Sequence, residues 1–91
     1  MPRIPSPAAA HIGTQIRKAR VTATLTQDQV AARSSIDSSN IRAYETGRAM
    51  PSVPTLVRIA DALGITPGTL LDGLTVGMLP IAEADGRRRV S

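Results

Sequence analysis

The sequence has little of what several common protein classes require. It contains no cysteine, no tryptophan and no phenylalanine, and Tyr44 is its single aromatic residue. The missing cysteines exclude disulfides, cysteine-ligated zinc fingers, iron–sulfur clusters and thiol nucleophiles. The shortage of aromatic side chains favours packed helices over a β-sandwich. No apolar run approaches the roughly eighteen residues of a membrane span, so we expect a cytoplasmic protein.

The length of 91 residues leaves room for one small domain with a thin core. Three prolines among the first seven residues predict a flexible arm over 1–7, although Ser6 and Pro7 could open a helix. From Gly73 onward the helical pattern ends, which predicts a domain over 8–73 and a tail over 74–91. The net charge of +4 and the pI near 11.1 allow a nucleic-acid partner without proving one.

Helix starts are marked by capping residues that stand between two apolar residues five positions apart. In such a hydrophobic staple, the residue before the cap packs on the fourth helical residue. The staples are Leu25 with Val30, Ile36 with Ile41, and Ile65 with Leu70, around the caps Thr26, Asp37 and Thr66. Thr26 and Gln29 also fit a capping box, and Ser52 is a fourth cap.

These signals predict five helices and an all-α fold, because the short connections leave no space for strands. The expected helices are about 8–23, 27–34, 38–46, 53–63 and 67–73. Apolar stripes of helical period predict the core face of the first and fourth helices. The stripes consist of Ile12, Ile16, Ala19 and Ala23, and of Val53, Leu56, Ile59, Ala60 and Leu63.

The segments 27–34 and 38–46 are joined by only a few residues, as in a helix-turn-helix. From Ile12 to about Leu74 the chain closely resembles the lambda-repressor/Cro-like helix-turn-helix family, also called the XRE family. The resemblance implies a compact five-helix lambda-repressor-like domain that binds double-stranded DNA. The residues that carry it are Ile16, Arg17, Arg20, Leu25, Thr26, Gln27, Val30, Ala31, Ile36, Ile41, Tyr44, Glu45, Gly47, Arg48, Pro51, Leu56, Ile59, Ala60, Ala62, Leu63, Gly64 and Leu70.

In this family the second helix of the pair lies in the DNA major groove, with its first residues against base edges. The resemblance therefore implies base contacts from Ser38, Ser39, Asn40, Arg42 and Ala43, with Ile41 and Tyr44 facing the core. Because serine and alanine are small, we expect sequence reading to depend on Asn40 and Arg42, which can reach adenine and guanine. Ser38 and Ser39 could instead be first-turn residues selected only for capping.

A second set of polar residues is expected to contact DNA phosphates, which dominate affinity. It comprises Gln27, Arg17, Lys18, Arg33, Thr46 and Arg48, each of which could also be an ordinary solvated residue. The resemblance further implies a partly buried salt bridge between Arg20 and Glu45, a structural role. Relatives usually carry glycine at the position of Ser35, where the backbone is left-handed, so serine costs roughly 1 kcal/mol there.

The expected function is sequence-specific transcription regulation, as a repressor that binds a palindromic operator as a homodimer. Helix five and the tail are the expected interface. An alternative is an antitoxin or adaptor that binds a protein partner through the tail 74–91, whose first part is apolar at Val76, Met78, Leu79 and Ile81. We expect no enzyme, cofactor or metal site, because His11 is the only histidine and no glycine-rich phosphate loop is present. DNA binding would place the protein at the nucleoid.

Overall fold

The computed structural model describes residues 6–79, which form α-helices and one short 3₁₀ turn without any strand in that range. The predicted all-α fold with five helices is confirmed. Within residues 6–79, no helix meets the length and hydropathy that a membrane span requires. The helices are α1 Pro7–Thr22, α2 Gln27–Ser34, α3 Ser38–Glu45, α4 Val53–Leu63 and α5 Pro67–Leu71, and the 3₁₀ turn is Val76–Met78.

Side chains cap three of the helices. The Ser6 hydroxyl accepts a hydrogen bond from the amide of Ala9 at 3.3 Å, so α1 begins at Pro7 within the arm predicted over 1–7. At α2 both bonds of the capping box between Thr26 and Gln29 are present, at 3.0 and 2.8 Å. Ser52 caps α4 as predicted. The rest of the arm, 1–5, lies outside the described residues.

Two predicted caps are wrong in their chemistry. Asp37 and Thr66 precede α3 and α5, but neither side chain bonds to a helix amide. The Asp37 carboxylate instead accepts a hydrogen bond from the Ser39 hydroxyl at 2.7 Å, and the Thr66 hydroxyl pairs with that of Thr69 at 3.1 Å. A nearby hydroxyl therefore competes with the backbone for the capping oxygen.

The turn between α2 and α3 has the left-handed backbone expected at Ser35, with φ of 61°. A side chain in this region is strained by about 1 kcal/mol, since Cβ approaches the following carbonyl. Thr24, in the turn after α1, adopts the same conformation with φ of 58°, which the sequence pattern did not indicate. Helix α2, the first helix of the motif, is therefore flanked on each side by a turn with a strained residue other than glycine.

The core is formed by one aliphatic cluster, and all six staple residues belong to it or pack against it. Helix α1 packs mainly on α3 and α5, while α2 packs on α3 and α4. The prediction that Val53 is a core residue is wrong, because its side chain is 73% exposed. Val53 lies at the edge of the buried arc of α4, beside Val57, which is also exposed.

Helix α5 is shorter than predicted and is followed by an ordered segment. It ends at Leu71 because Asp72 has an extended backbone and Gly73 a φ of 84°. Leu74 then packs against the core, although the prediction assigned it to the tail. Beyond it, Val76 is 82% exposed. The remaining tail residues from 80 to 91, Ile81 among them, lie outside the described range.

Candidate nucleic-acid interface

Helix α3 presents a mainly polar surface because its large apolar residues, Ile41 and Tyr44, lie on the inner side. Ile41 is fully buried and Tyr44 packs against the core. The predicted base-contacting residues then fall on the outer side to different degrees. Ser39, Asn40 and Arg42 are exposed, while Ser38 and Ala43 are half-buried.

Beneath this surface an ion pair joins α1 to the end of α3. Arg20 donates from Nε to Glu45 Oε2 at 2.6 Å and from Nη2 to Glu45 Oε1 at 3.0 Å. The side chains are 15% and 2% exposed, so the pair is partly buried, as predicted. Its hydrogen bond to Glu45 raises the pKa of Arg20 above its ordinary value, against the opposing effect of burial.

The same carboxylate binds a third helix. Gln27, at the first position of α2, donates from Nε2 to Glu45 Oε1 at 3.0 Å. Arg20 also donates from Nη1 to the carbonyl of Leu25, in the turn before α2, at 2.9 Å. Glu45 therefore connects α1, α2 and α3. Gln27 was expected to contact phosphate, and its position in this network could not be read from its spacing in the sequence.

A close approach of two backbones supports this arrangement. Gly13 of α1 is buried against the C-terminal end of α3. A Cβ at this position would overlap the carbonyl oxygen of Tyr44 and lie 2.9 Å from that of Glu45. Only glycine lets the two helices come this close, and the sequence pattern did not single it out.

The loop after α3 carries two of the expected phosphate contacts. The Thr46 hydroxyl donates to the carbonyl of Arg42 at 3.0 Å and accepts from Arg48 Nε at 3.4 Å. Gly47, with φ of 78°, turns the chain between them against Ala10 of α1. Thr46 thus orients the guanidinium of Arg48, which remains exposed.

The other expected phosphate contacts lie in two separate places. Arg17 and Lys18 are exposed on α1 and line an open cleft together with Glu45, next to the motif. Arg33 instead lines a hollow with Arg58 and the acidic Asp61, between the end of α2 and α4. The structure therefore brings Arg17 and Lys18 beside α3, and gives Arg33 an environment formed by α4.

Arg42 has an ionic partner that the sequence pattern did not predict. Its Nη2 lies 3.7 Å from Oδ1 of Asp28, in the first turn of α2. Both side chains are largely exposed, at 51% and 79%. The pair crosses from one helix of the motif to the other on its outer side.

His11, which we expected on the surface of the first helix, links α1 to the end of α5. Its Nε2 donates to the carbonyl of Asp72 at 2.6 Å, and Gln15 reaches the carbonyl of Thr69 at 3.4 Å. These contacts fasten the segment that leaves α5. Within residues 6–79 no cluster of three His, Cys, Asp or Glu side chains could hold a metal ion.

Helices α2 and α3, joined by a short turn, have the arrangement of a helix-turn-helix, and a known protein family matches this part of the chain. A family model described as a helix-turn-helix domain matches residues 11–74, which is most of the described chain. The chain belongs to the helix-turn-helix family. The expected lambda-repressor/Cro-like, or XRE, type is confirmed, and so are the fold and the general assignment to DNA-binding transcription regulators.

Relatives of this helix-turn-helix protein include regulators from several bacteria. An uncharacterized HTH-type transcriptional regulator, y4dJ of Sinorhizobium fredii, is 36% identical over 55 residues, covering 60% of this chain and 71% of the relative. The restriction-modification controller protein C.AhdI from Aeromonas hydrophila is 29% identical with a TM-score of 0.67, over 68% of this chain and 94% of its own. ClgR, the clp gene regulator of C. glutamicum, shares the fold at 23% identity and a TM-score of 0.67, over 70% of this chain and 83% of its own.

Proposed function

We propose that this helix-turn-helix protein is a sequence-specific repressor that inserts α3 into the major groove of an operator. The observation that carries the proposal is the outer side of α3, where polar side chains are exposed while Arg20, Gln27 and Glu45 fix the helix from below. A recognition helix held by buried contacts can present its side chains in one orientation, which base readout requires.

The distribution of charge along the chain also supports DNA binding by the helix-turn-helix segment. Residues 11–48 carry six basic and three acidic side chains, whereas residues 49–73 carry one basic and two acidic ones. The positive charge is thus concentrated on the segment that contains the helix-turn-helix. Arg17, Lys18 and Arg48 flank the motif and are suited to phosphate contacts, which hold the protein in register on the duplex.

Arg42 and Asn40 are the proposed base readers. Arginine bonds guanine through O6 and N7, and asparagine bonds adenine through N6 and N7. The smaller side chains of Ser38, Ser39 and Ala43 would make additional base contacts. Gln27, Arg33 and Thr46 would contact phosphates.

We propose that the protein acts in the cytoplasm, at the nucleoid. We assign no catalytic role to any residue.

The protein is proposed to act as a homodimer, because one recognition helix covers half of an operator site. Three apolar side chains at the end of α5 and in the segment after it are exposed and offer a surface for a second copy, namely those of Leu71, Val76 and Leu79. A truncation after Leu74 keeps the core intact and should reduce the mass measured by sedimentation to that of a monomer. An unchanged dimer mass would remove the tail from the interface.

An antitoxin or adaptor function is the second candidate, favoured by the 82% exposure of Val76. Selection of bound sequences from random duplex DNA distinguishes the two. A repressor enriches a palindromic motif with half-sites about one helical turn apart. Tight binding to a co-encoded protein, with no enriched motif, would support the second candidate.

A further inference from the structure

The ion pair between Asp28 and Arg42 differs from the other contacts that fix the motif. Arg20 and Glu45 are covered, whereas Asp28 and Arg42 meet on the outer side, with 79% and 51% of their side chains exposed. The separation of 3.7 Å between Nη2 and Oδ1 places the carboxylate at the guanidinium that we propose reads a base. The pair is therefore open to exchange with a ligand on the same surface.

The position of Asp28 in the first turn of α2 explains an acidic residue there, but it does not explain why Arg42 lies beside it. An acidic residue in the first turn is stabilised by the helix dipole and needs no cation nearby. The same helix end is suited to a DNA phosphate, since the first amides of a helix have no partner within it. A carboxylate at this place repels that phosphate, so Asp28 is unfavourable for affinity to DNA of any sequence.

We infer that Asp28 is a specificity-determining residue that acts by positioning Arg42, an inference that rests on the proposed DNA-binding function. To reach a guanine, Arg42 gives up its ion pair with Asp28, and the acceptors O6 and N7 of the base replace the carboxylate. On a duplex that offers no such acceptor pair, the guanidinium stays with Asp28 and loses nothing. Asp28 therefore reduces the preference for the selected duplex that Arg42 provides.

The test is the ratio of dissociation constants for a random duplex and for the duplex selected by the wild-type protein. Asp28→Asn keeps the shape of the side chain and removes its charge. An exposed ion pair is worth up to about 1 kcal/mol, so the ratio should rise about two- to five-fold, because the selected duplex gains more affinity than the random duplex. Asp72→Asn makes the same change in net charge beyond α5 and should leave the ratio unchanged.

A double-mutant cycle shows whether the effect passes through Arg42. In an Arg42→Ala background, measured at low salt so that non-specific binding persists, Asp28→Asn should no longer alter the ratio. The inference is overturned if the ratio is unchanged in the first background, if it rises equally in both, or if Asp72→Asn raises it as much.

A measurement on the free protein separates this inference from the proposed function. In the absence of DNA, ¹⁵N relaxation at Arg42 Nε should report a more mobile guanidinium in Asp28→Asn than in wild type. If Asp28→Asn leaves that mobility unchanged, the positioning role is wrong. If the wild-type protein selects no duplex at all, the proposed function fails, whatever the mobility of Arg42.

Discussion

Replacing Arg20 by alanine is expected to be the most damaging change of a charged side chain in the described domain. The substitution removes two hydrogen bonds from the carboxylate of Glu45, whose side chain is only 2% exposed. The amide of Gln27, 3.0 Å from Oε1, is the partner that this carboxylate keeps. The variant therefore contains a buried charge with much of its compensation removed.

The magnitude follows from that burial. Breaking a buried ion pair by removal of one partner costs about 3–5 kcal/mol. The lower end applies here, because Arg20 is 15% exposed and its loss opens a path for water to Glu45. A loss of about 3 kcal/mol corresponds to a decrease in Tm of about 12–24 °C for a domain of this size. Because the pKa of Arg20 is raised, its contribution to stability is complete below the ordinary pKa of arginine and is lost only at higher pH. The cost should therefore not depend on titration of this arginine near neutral pH.

Thermal melts followed by circular dichroism measure the effect. Arg17→Ala, an exposed arginine on the same helix, is the matched control and should change stability by less than about 0.5 kcal/mol. In the double variant Arg20→Met with Glu45→Leu, the buried charge is absent, so its stability should return to within about 1 kcal/mol of wild type. The structural role of the ion pair is refuted if Arg20→Ala has the same Tm as Arg17→Ala. It is also refuted if the double variant is as unstable as Arg20→Ala.

Three further changes test other parts of the structure. Gly13→Ala should destabilise the domain by about 2 kcal/mol, because the new methyl group overlaps backbone carbonyls of α3. This cost exceeds the gain of about 1 kcal/mol from the higher helix propensity of alanine, and an unchanged denaturant midpoint would contradict the close approach. Ser35→Gly should raise stability by about 0.5–1 kcal/mol by relieving the left-handed strain, and a lower Tm would count against it. Arg48→Ala should weaken binding to all duplexes alike and reduce the salt slope by about 1, whereas a change in preferred sequence would make Arg48 a base reader.

The number and order of helices were predictable because their starts carry local signals. Staples and caps depend on residues close together in the chain, so the positions of α2 and α4 follow from spacing alone. The left-handed turn at Ser35 was implied by the resemblance to the family. The ends were less predictable. Helix α5 ends at Leu71 because of the backbone at Asp72 and Gly73, which no apolar period indicates.

The candidate site was predictable in its residues but not in its connections. The resemblance to the family identified Arg20 and Glu45 as a pair, and the outer residues of α3. It did not indicate that Gln27 joins the same carboxylate, that Asp28 approaches Arg42, or that Gly13 lets α1 meet α3. These contacts join residues from different helices, and they depend on tertiary packing that a single sequence does not display.

Sequence reading by the outer side of α3 is the central claim, and selection from random duplex DNA tests it most directly. The wild-type protein and Arg42→Ala are compared in parallel over a range of salt concentrations. We predict that wild type enriches a palindromic motif, and that Arg42→Ala keeps the half-site spacing but loses its preference at one base pair in each half-site. The absence of any enriched motif for the wild-type protein, or an identical motif for Arg42→Ala, would contradict the claim.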